Sequence, residues 1–254
     1  MKIGVCIPPE QLAVALPHCD YVELPFGMVA ALPEADFAAL KAEAQALSAC
    51  IPAMNLFLPG TFRLTGPEAD LQAPLALIET GMQRCRELGT RRVVFGSAGA
   101  RSVPEGACPA QAREQLIAFL RLAGPIAQRY GVLLCIEPLG RGECNLINTV
   151  SEGYDLFADA AAPGTAVLAD YYHMCCNHED MSGIIRAGSH LHHCHIAYPD
   201  GRRYPLPEQG YDFSEFFQAL RTIGYDECVS IEGNTDDLAS DLPRSVQYLK
   251  TLCE

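Results

Sequence analysis

The stretch HLHHCHIAYPDGRR, residues 190–203, places four histidines, one cysteine and two arginines within fourteen positions. Its core, LHHCHIA (191–197), has the composition of a β-strand, in which successive side chains alternate between two faces. His193, His195 and Ala197 then share one face, and His192, Cys194 and Ile196 share the other. At most two of the histidines can enter a common interior. A metal cluster built from this stretch alone is ruled out, so any partners of His195 must come from other strands.

Three other segments end in the same way. In VLLCIEPL (132–139), Glu137 alternates with Leu134 and Ile136. In AVLADYY (166–172), Asp170 opposes Val167 and Ala169, and in CVSIEGN (228–234), Glu232 opposes Val229 and Ile231. Each strand packs its aliphatics to one side and carries one ionisable group inward near its C-terminal end. Four more strand candidates precede these: KIGVCI (2–7), YVELPF (21–26), IPAMNLFL (51–58) and RRVVFGS (91–97).

Amphipathic stretches of helical period lie between the strands. They cover 9–18, 36–49, 75–89, 113–131, 151–161, 180–188, 212–224 and 243–252, and Pro125 is expected to kink the longest. Eight strands each followed by a helix spell parallel βαβ units. In a chain of 254 residues they fit a closed (β/α)8 TIM barrel, an α/β fold read as a single domain over 1–254. An open doubly wound sheet would favour a glycine-rich turn after an early strand, whereas the first loop here is IPPEQ (7–11).

Composition narrows the function. The chain is 49% hydrophobic and 19% charged, with a net charge of −13. That field repels a phosphate backbone, so no nucleic acid partner is expected; the basic pairs Arg91-Arg92 and Arg202-Arg203 are too short to offset it. No apolar run approaches the ~20 residues of a membrane span. The start, MKIGVCIPPE, enters a strand without a signal-peptide pattern, so a cytoplasmic protein is expected. The 12 cysteines are irregularly spaced, and many sit within apolar runs, as reduced core thiols do. HMCCNH (173–178) lacks a second C-x-x-C half, and the adjacent Cys175 and Cys176 cannot both point inward from a regular strand.

Barrel enzymes place their active sites at the C-terminal strand ends. Strands five to eight are neighbours, so Glu137, Asp170, His195 and Glu232 would converge there. Three carboxylates so close repel one another unless a divalent cation lies between them. Two Glu, one Asp and one His form a hard, oxygen-rich set suited to Mn²⁺, with Co²⁺, Mg²⁺ or Zn²⁺ as alternatives. Glu143, His173 and Arg202 or Arg203 fall on the same face and can supply donors and acceptors for a polyhydroxylated ligand. His193 faces inward but deeper, as a hydrogen-bonded group behind the ligands.

IEPL with Glu137, LADYYHM with Asp170 and His173, HCHIAYPDGR with His195 and SIEGN with Glu232 resemble the sugar phosphate isomerase/epimerase family of xylose-isomerase-like barrels. NLFLPG (55–60) and VVFGSAGARSVPEG (93–106) extend the resemblance across the chain. The nearest mechanistic parallel is with ketose 3-epimerases, and hydroxypyruvate isomerases are also similar. The resemblance implies that Glu137, Asp170, His195 and Glu232 hold the metal and that Glu137 and Glu232 act as the acid/base pair. It also implies that Glu143, His173 and an arginine bind substrate. Arg202 stands one residue further from the histidine than the family spacing, and Arg203 is the other candidate.

The expected reaction removes a proton beside a carbonyl to give an enediolate, then returns it elsewhere, so epimerase and isomerase share a first step. A dehydratase or lyase acting on a keto-sugar, inosose or 3-oxo-glycoside would use the same site. A non-catalytic sugar-binding barrel is the remaining class. The acidic loop GNTDDLASD (233–241) favours an unphosphorylated sugar or keto-sugar substrate, and GSAGAR (96–101) is the place where an anion could be cradled. A homodimer is the default assembly.

Overall fold

A computed structural model describes residues 1–253. Eight strands, β1 (Lys2–Cys6), β2 (Tyr21–Pro25), β3 (Ala53–Asn55), β4 (Arg92–Phe95), β5 (Leu133–Ile136), β6 (Thr165–Asp170), β7 (Leu191–Ile196) and β8 (Cys228–Ile231), form a closed barrel in chain order. All pairings are parallel, and β8 closes on β1 with Lys2 opposite Cys228.

The helices that wrap the barrel are α1 (Leu12–Ala15), α2 (Phe26–Ala31), α3 (Glu34–Ala46), α4 (Leu75–Leu88), α5 (Ala98–Arg101) and α6 (Pro109–Arg129). They continue with α7 (Val150–Ala160), α8 (Tyr171–Cys176), α9 (Ser182–Ala187), α10 (Ser214–Thr222) and α11 (Leu238–Cys253). Among the described residues, no helix is long and apolar enough to cross a membrane.

The barrel expected from the strand pattern is the observed fold, with local differences. The first helical stretch breaks into α1 flanked by two 3-10 turns, one of them at Leu16–His18 around Pro17. The expected strand 51–58 keeps only Ala53–Asn55, because Leu56 turns to φ 49° and leaves the ladder. α2 and α8 start directly at strand ends, where no loop signal separates strand from helix. α6 runs on through Pro125, and α11 through Pro243.

Inside the barrel, Val94, Cys135, Ala166 and Leu168 form a buried plug. Above β1 the Tyr21 ring lies so close that a Cβ at Gly4 would come within 2.3 Å of it, which requires glycine there. Between barrel and helices, Phe26, Phe57, Phe95 and Phe119 pack with centroids 5.0–6.5 Å apart. Burial of each such ring contributes roughly 1.5–3 kcal/mol, which holds the helix layer against β2–β5. All 12 cysteines are free thiols.

Candidate active site

Strand register determines which side chains meet. Asp170, the last residue of β6, lies opposite His195 of β7, and His195 lies opposite Ser230 of β8. Glu137 and Glu232 stand one residue beyond β5 and β8. All four point inward, and each offers one ligand atom, all within 4.8 Å of one another.

The local chemistry fixes each ligand. Asp170 caps α8: its Oδ1 accepts from the Tyr172 amide at 2.7 Å and the His173 amide at 3.4 Å. Its Oδ2 is buried and makes no hydrogen bond. His195 turns Nδ1 to Glu137 Oε1 at 3.2 Å and Glu232 Oε2 at 3.3 Å. Glu232 accepts from Asn55 Nδ2 at 2.7 Å and from Arg202 Nη2 at 2.5 Å. Glu137 lies against Gly96, where a Cβ would fall 2.1 Å from its Oε2.

The charges are partly compensated from within. Burial, and then the neighbouring Glu232 charge, push the Glu137 carboxyl up, although His195 pulls against them. Burial also works against the charge of Glu232, but His195, Arg202 and Asn55 outweigh it and hold its carboxyl well below the usual range. Burial disfavours imidazolium at His195, yet Glu232 and Glu23 outweigh it and raise its pKa. A hard donor set with one buried carboxylate oxygen that makes no hydrogen bond, and is reached only by Arg202 Nη2 and His173 Nε2 at 3.6 Å, fits a divalent cation.

The remaining candidates surround this centre. His173 is buried; its Nδ1 accepts from the Gly140 amide at 3.0 Å, which places the proton of the neutral ring on Nε2. That Nε2 has no partner, and it lies 3.6 Å from Asp170 Oδ2. Arg202 reaches Glu143 Oε1 at 3.3 Å and stacks over the Tyr172 ring at 4.7 Å. It adopts φ 50°, and the turn that imposes this sends Arg203 outward to an exposed ion pair with Asp236. Arg202 is therefore the arginine that faces the cluster. Ser97, Glu137, Glu143, His173, Arg202 and Glu232 line a cavity of about 270 Å³.

Below the cluster lies a group that sequence reasoning missed. Glu23 of β2 is fully buried and accepts from His193 Nε2 at 2.8 Å, Ser230 Oγ at 2.5 Å and His195 Nε2 at 3.2 Å. Tyr21 OH lies 2.8 Å from Ser230 Oγ and extends the chain of hydrogen bonds. The signal was available: Glu23 shares the parity of Tyr21 in YVELPF, so the period-two rule turns it inward. His193 takes the place behind the ligands that its depth suggested. Arg101 was also missed. Its buried guanidinium donates to the carbonyls of Phe95 at 3.2 Å and Glu137 at 2.5 Å. The segment 96–101 therefore braces Glu137, and its arginine does not face an anion.

The chain is also similar to known proteins. A D-psicose 3-epimerase of Ruminiclostridium cellulolyticum is 34% identical over 125 residues, covering 47% of this chain and 40% of that protein. A 3-dehydro-D-guloside 4-epimerase of Escherichia coli is 28% identical over 142 residues, covering 55% and 53%. In these alignments the chain spans about half the length of its relatives. A crystal structure of a D-psicose 3-epimerase determined in the presence of D-fructose superposes with a TM-score of 0.84 at 20% identity, covering 100% of this chain and 99% of that one, so the fold is shared throughout. The sequence profile of the Xylose isomerase-like TIM barrel family matches residues 11–252, and the chain belongs to that family.

Proposed function

We propose that this chain is a divalent-cation-dependent keto-sugar epimerase that inverts a carbon next to a carbonyl. One observation carries the reading: four inward ligand atoms from four adjacent strands lie within 4.8 Å of one another, and the buried Asp170 Oδ2 beside them makes no hydrogen bond. Relatives named as a D-psicose 3-epimerase and a 3-dehydro-D-guloside 4-epimerase support a reaction that inverts one sugar centre.

Glu137, Asp170, His195 and Glu232 would hold the cation. When bound, such a cation, Mn²⁺ by preference, supplies Lewis-acid polarisation of a carbonyl and its neighbouring hydroxyl. The carboxylate of one glutamate, Glu137 or Glu232, takes the acidified proton, and the other returns a proton to the opposite face of the resulting enediolate. His173 Nε2–H donates to a substrate oxygen, and Glu143 accepts from a hydroxyl. Arg202 donates to substrate and keeps the Glu232 carboxylate oriented at 2.5 Å.

The test is deuterium uptake from D₂O, followed by NMR, with Mn²⁺ and a panel of ketoses, inososes and 3-keto-glycosides. Uptake at one carbon with an inverted product, abolished in Glu232→Gln, is expected. Loss of a hydroxyl instead would identify a dehydratase. Uptake that survives in Glu232→Gln, or failure to bind Mn²⁺ by calorimetry, would overturn the reading.

A further inference from the structure

Cys6 ends β1, and strand parity turns it inward. Gly4, two residues earlier on the same face, meets the inward Tyr21 ring. On one side the register sets Cys6 opposite Glu23 of β2. On the other, Val5 pairs with Ile231, so the next step brings Cys6 beside Glu232. Cys6 is half-buried and lines a cavity of about 540 Å³ that shares Leu56, Arg202 and Glu232 with the catalytic one. A small cation can therefore reach its sulfur.

Cys6, His195 and Glu232 each offer one ligand atom, and the three atoms lie within 4.8 Å of one another. Neither Glu137 nor Asp170 belongs to that group. Two donor sets thus overlap at His195 and Glu232. One is hard, with three carboxylates and an imidazole. The other has a thiol, an imidazole and a carboxylate, which is the sulfur, nitrogen and oxygen set that zinc-like cations accept with water in the fourth position. Donors in such a tetrahedron stand roughly 3.5 Å apart, so these side chains need close by only about an ångström. His195 can serve one cation at a time, because its Nε2–H is committed to Glu23 and only Nδ1 is left.

We infer that Cys6, His195 and Glu232 form a second cation site, selective for thiophilic divalent cations such as Zn²⁺ and Cd²⁺, and that its occupation excludes the hard cation held by Glu137, Asp170, His195 and Glu232. Binding exchanges the S–H bond of Cys6 for a sulfur–metal bond and releases the proton to solvent. The cation then lies on the β1 side of Glu232, away from Glu137 and Asp170, and blocks the centre instead of serving it. The inference goes beyond the epimerase reading, since it requires the triad and not that reaction. Losing a group behind the ligands typically weakens a metal site about 10–100-fold, so losing the sulfur ligand itself should cost at least about tenfold.

The probe is Cd²⁺, titrated into chelator-treated protein and followed by its sulfur-to-metal charge-transfer absorption in the ultraviolet, with Zn²⁺ and Mn²⁺ affinities measured by calorimetry. The absorption should appear in the parent and in Glu137→Gln, which alters only the hard set, and be absent in Cys6→Ser. Cys6→Ser should bind Zn²⁺ at least about tenfold more weakly and Mn²⁺ within about twofold of the parent. Cd²⁺ added to the Mn²⁺-loaded parent should release Mn²⁺, read from the paramagnetic resonance of the free ion. Absorption that persists in Cys6→Ser would belong to another thiol and overturn the inference. So would absorption lost in Glu137→Gln, or Cd²⁺ that binds without releasing Mn²⁺. Equal weakening of Zn²⁺ and Mn²⁺ in Cys6→Ser would make Cys6 a support of the fold alone, and would overturn it too. If the parent fails to bind Mn²⁺ while the Cys6-dependent absorption appears, the epimerase reading falls and the thiophilic site stands.

Discussion

Replacing Glu23 with glutamine asks whether the buried acid beneath the site prepares His195 for a metal. A carboxylate only accepts, so Glu23 requires His193 Nε2, His195 Nε2 and Ser230 Oγ all to donate, over 2.8, 3.2 and 2.5 Å. With Nε2–H committed to Glu23, Nδ1 is the nitrogen that faces Glu137 and Glu232 and would give its lone pair to a cation held there. Burial opposes a charge at Glu23, but His193 and His195 outweigh it and hold its carboxyl well below the usual range. Glutamine keeps the size but places an NH₂ against at least one of these donors. One buried donor left facing another costs about 1–3 kcal/mol. Partners of metal-ligating histidines commonly govern metal affinity by about 10–100-fold, which is the same energy range. Titration calorimetry with Mn²⁺ should therefore show Glu23→Gln binding about 10–100-fold more weakly, with urea denaturation run alongside to measure stability separately. Affinity within about twofold of the parent, with stability alone reduced, would refute the positioning role and leave Glu23 a packing element.

Other perturbations test other supports. Gly96→Ala places a methyl group 2.1 Å from Glu137 Oε2, so the carboxylate must move, and a displacement of that order is expected to lower kcat about 100-fold in the deuterium-uptake assay while circular dichroism stays unchanged. Arg101→Lys can satisfy only one of the Phe95 and Glu137 carbonyls; the loss of about 1–3 kcal/mol should lower Tm by roughly 3–10 °C, and an unchanged Tm would contradict the bracing role. Burial pushes the Glu179 carboxyl from about 4.5 up to about 7 even though it accepts from the Val150 amide. Between those values the folded protein keeps a proton that the unfolded chain has released, so this group's contribution to stability declines as pH rises from about 4.5 to 7. Glu179→Gln should flatten that decline in urea midpoints taken from pH 5 to 8; an equally steep decline would assign it elsewhere.

The four cluster residues were legible because strand period and barrel geometry both constrain them. Each is inward by parity and stands at a C-terminal end, and neighbouring strands bring them together. Glu23 obeys the same parity but sits in the middle of YVELPF, where an acid between Val22 and Leu24 carries no strand-end signal. Asn55 closes β3, a strand much shorter than its apolar run, so its place at the rim was hidden by the expectation that the run continued to Leu58. Arg101 lies on a one-turn helix too short to show a period, and its carbonyl partners are backbone atoms, which no side-chain pattern reports. The choice between Arg202 and Arg203 depended on a left-handed turn at a non-glycine residue, which composition does not announce.

The chain divides its labour along its length. Every ligand proposed for the hard cation lies between Glu137 and Glu232, while a neighbouring cavity of about 540 Å³ takes its walls, other than the shared Arg202 and Glu232, from positions 6–56 and the short 233–234 turn. These four ligands and the cavity beside them are thus written in different stretches of one polypeptide. Exchanging the first three strand–loop units between relatives, with Glu23 and Asn55 retained, would reshape that cavity and leave the four ligand positions in place.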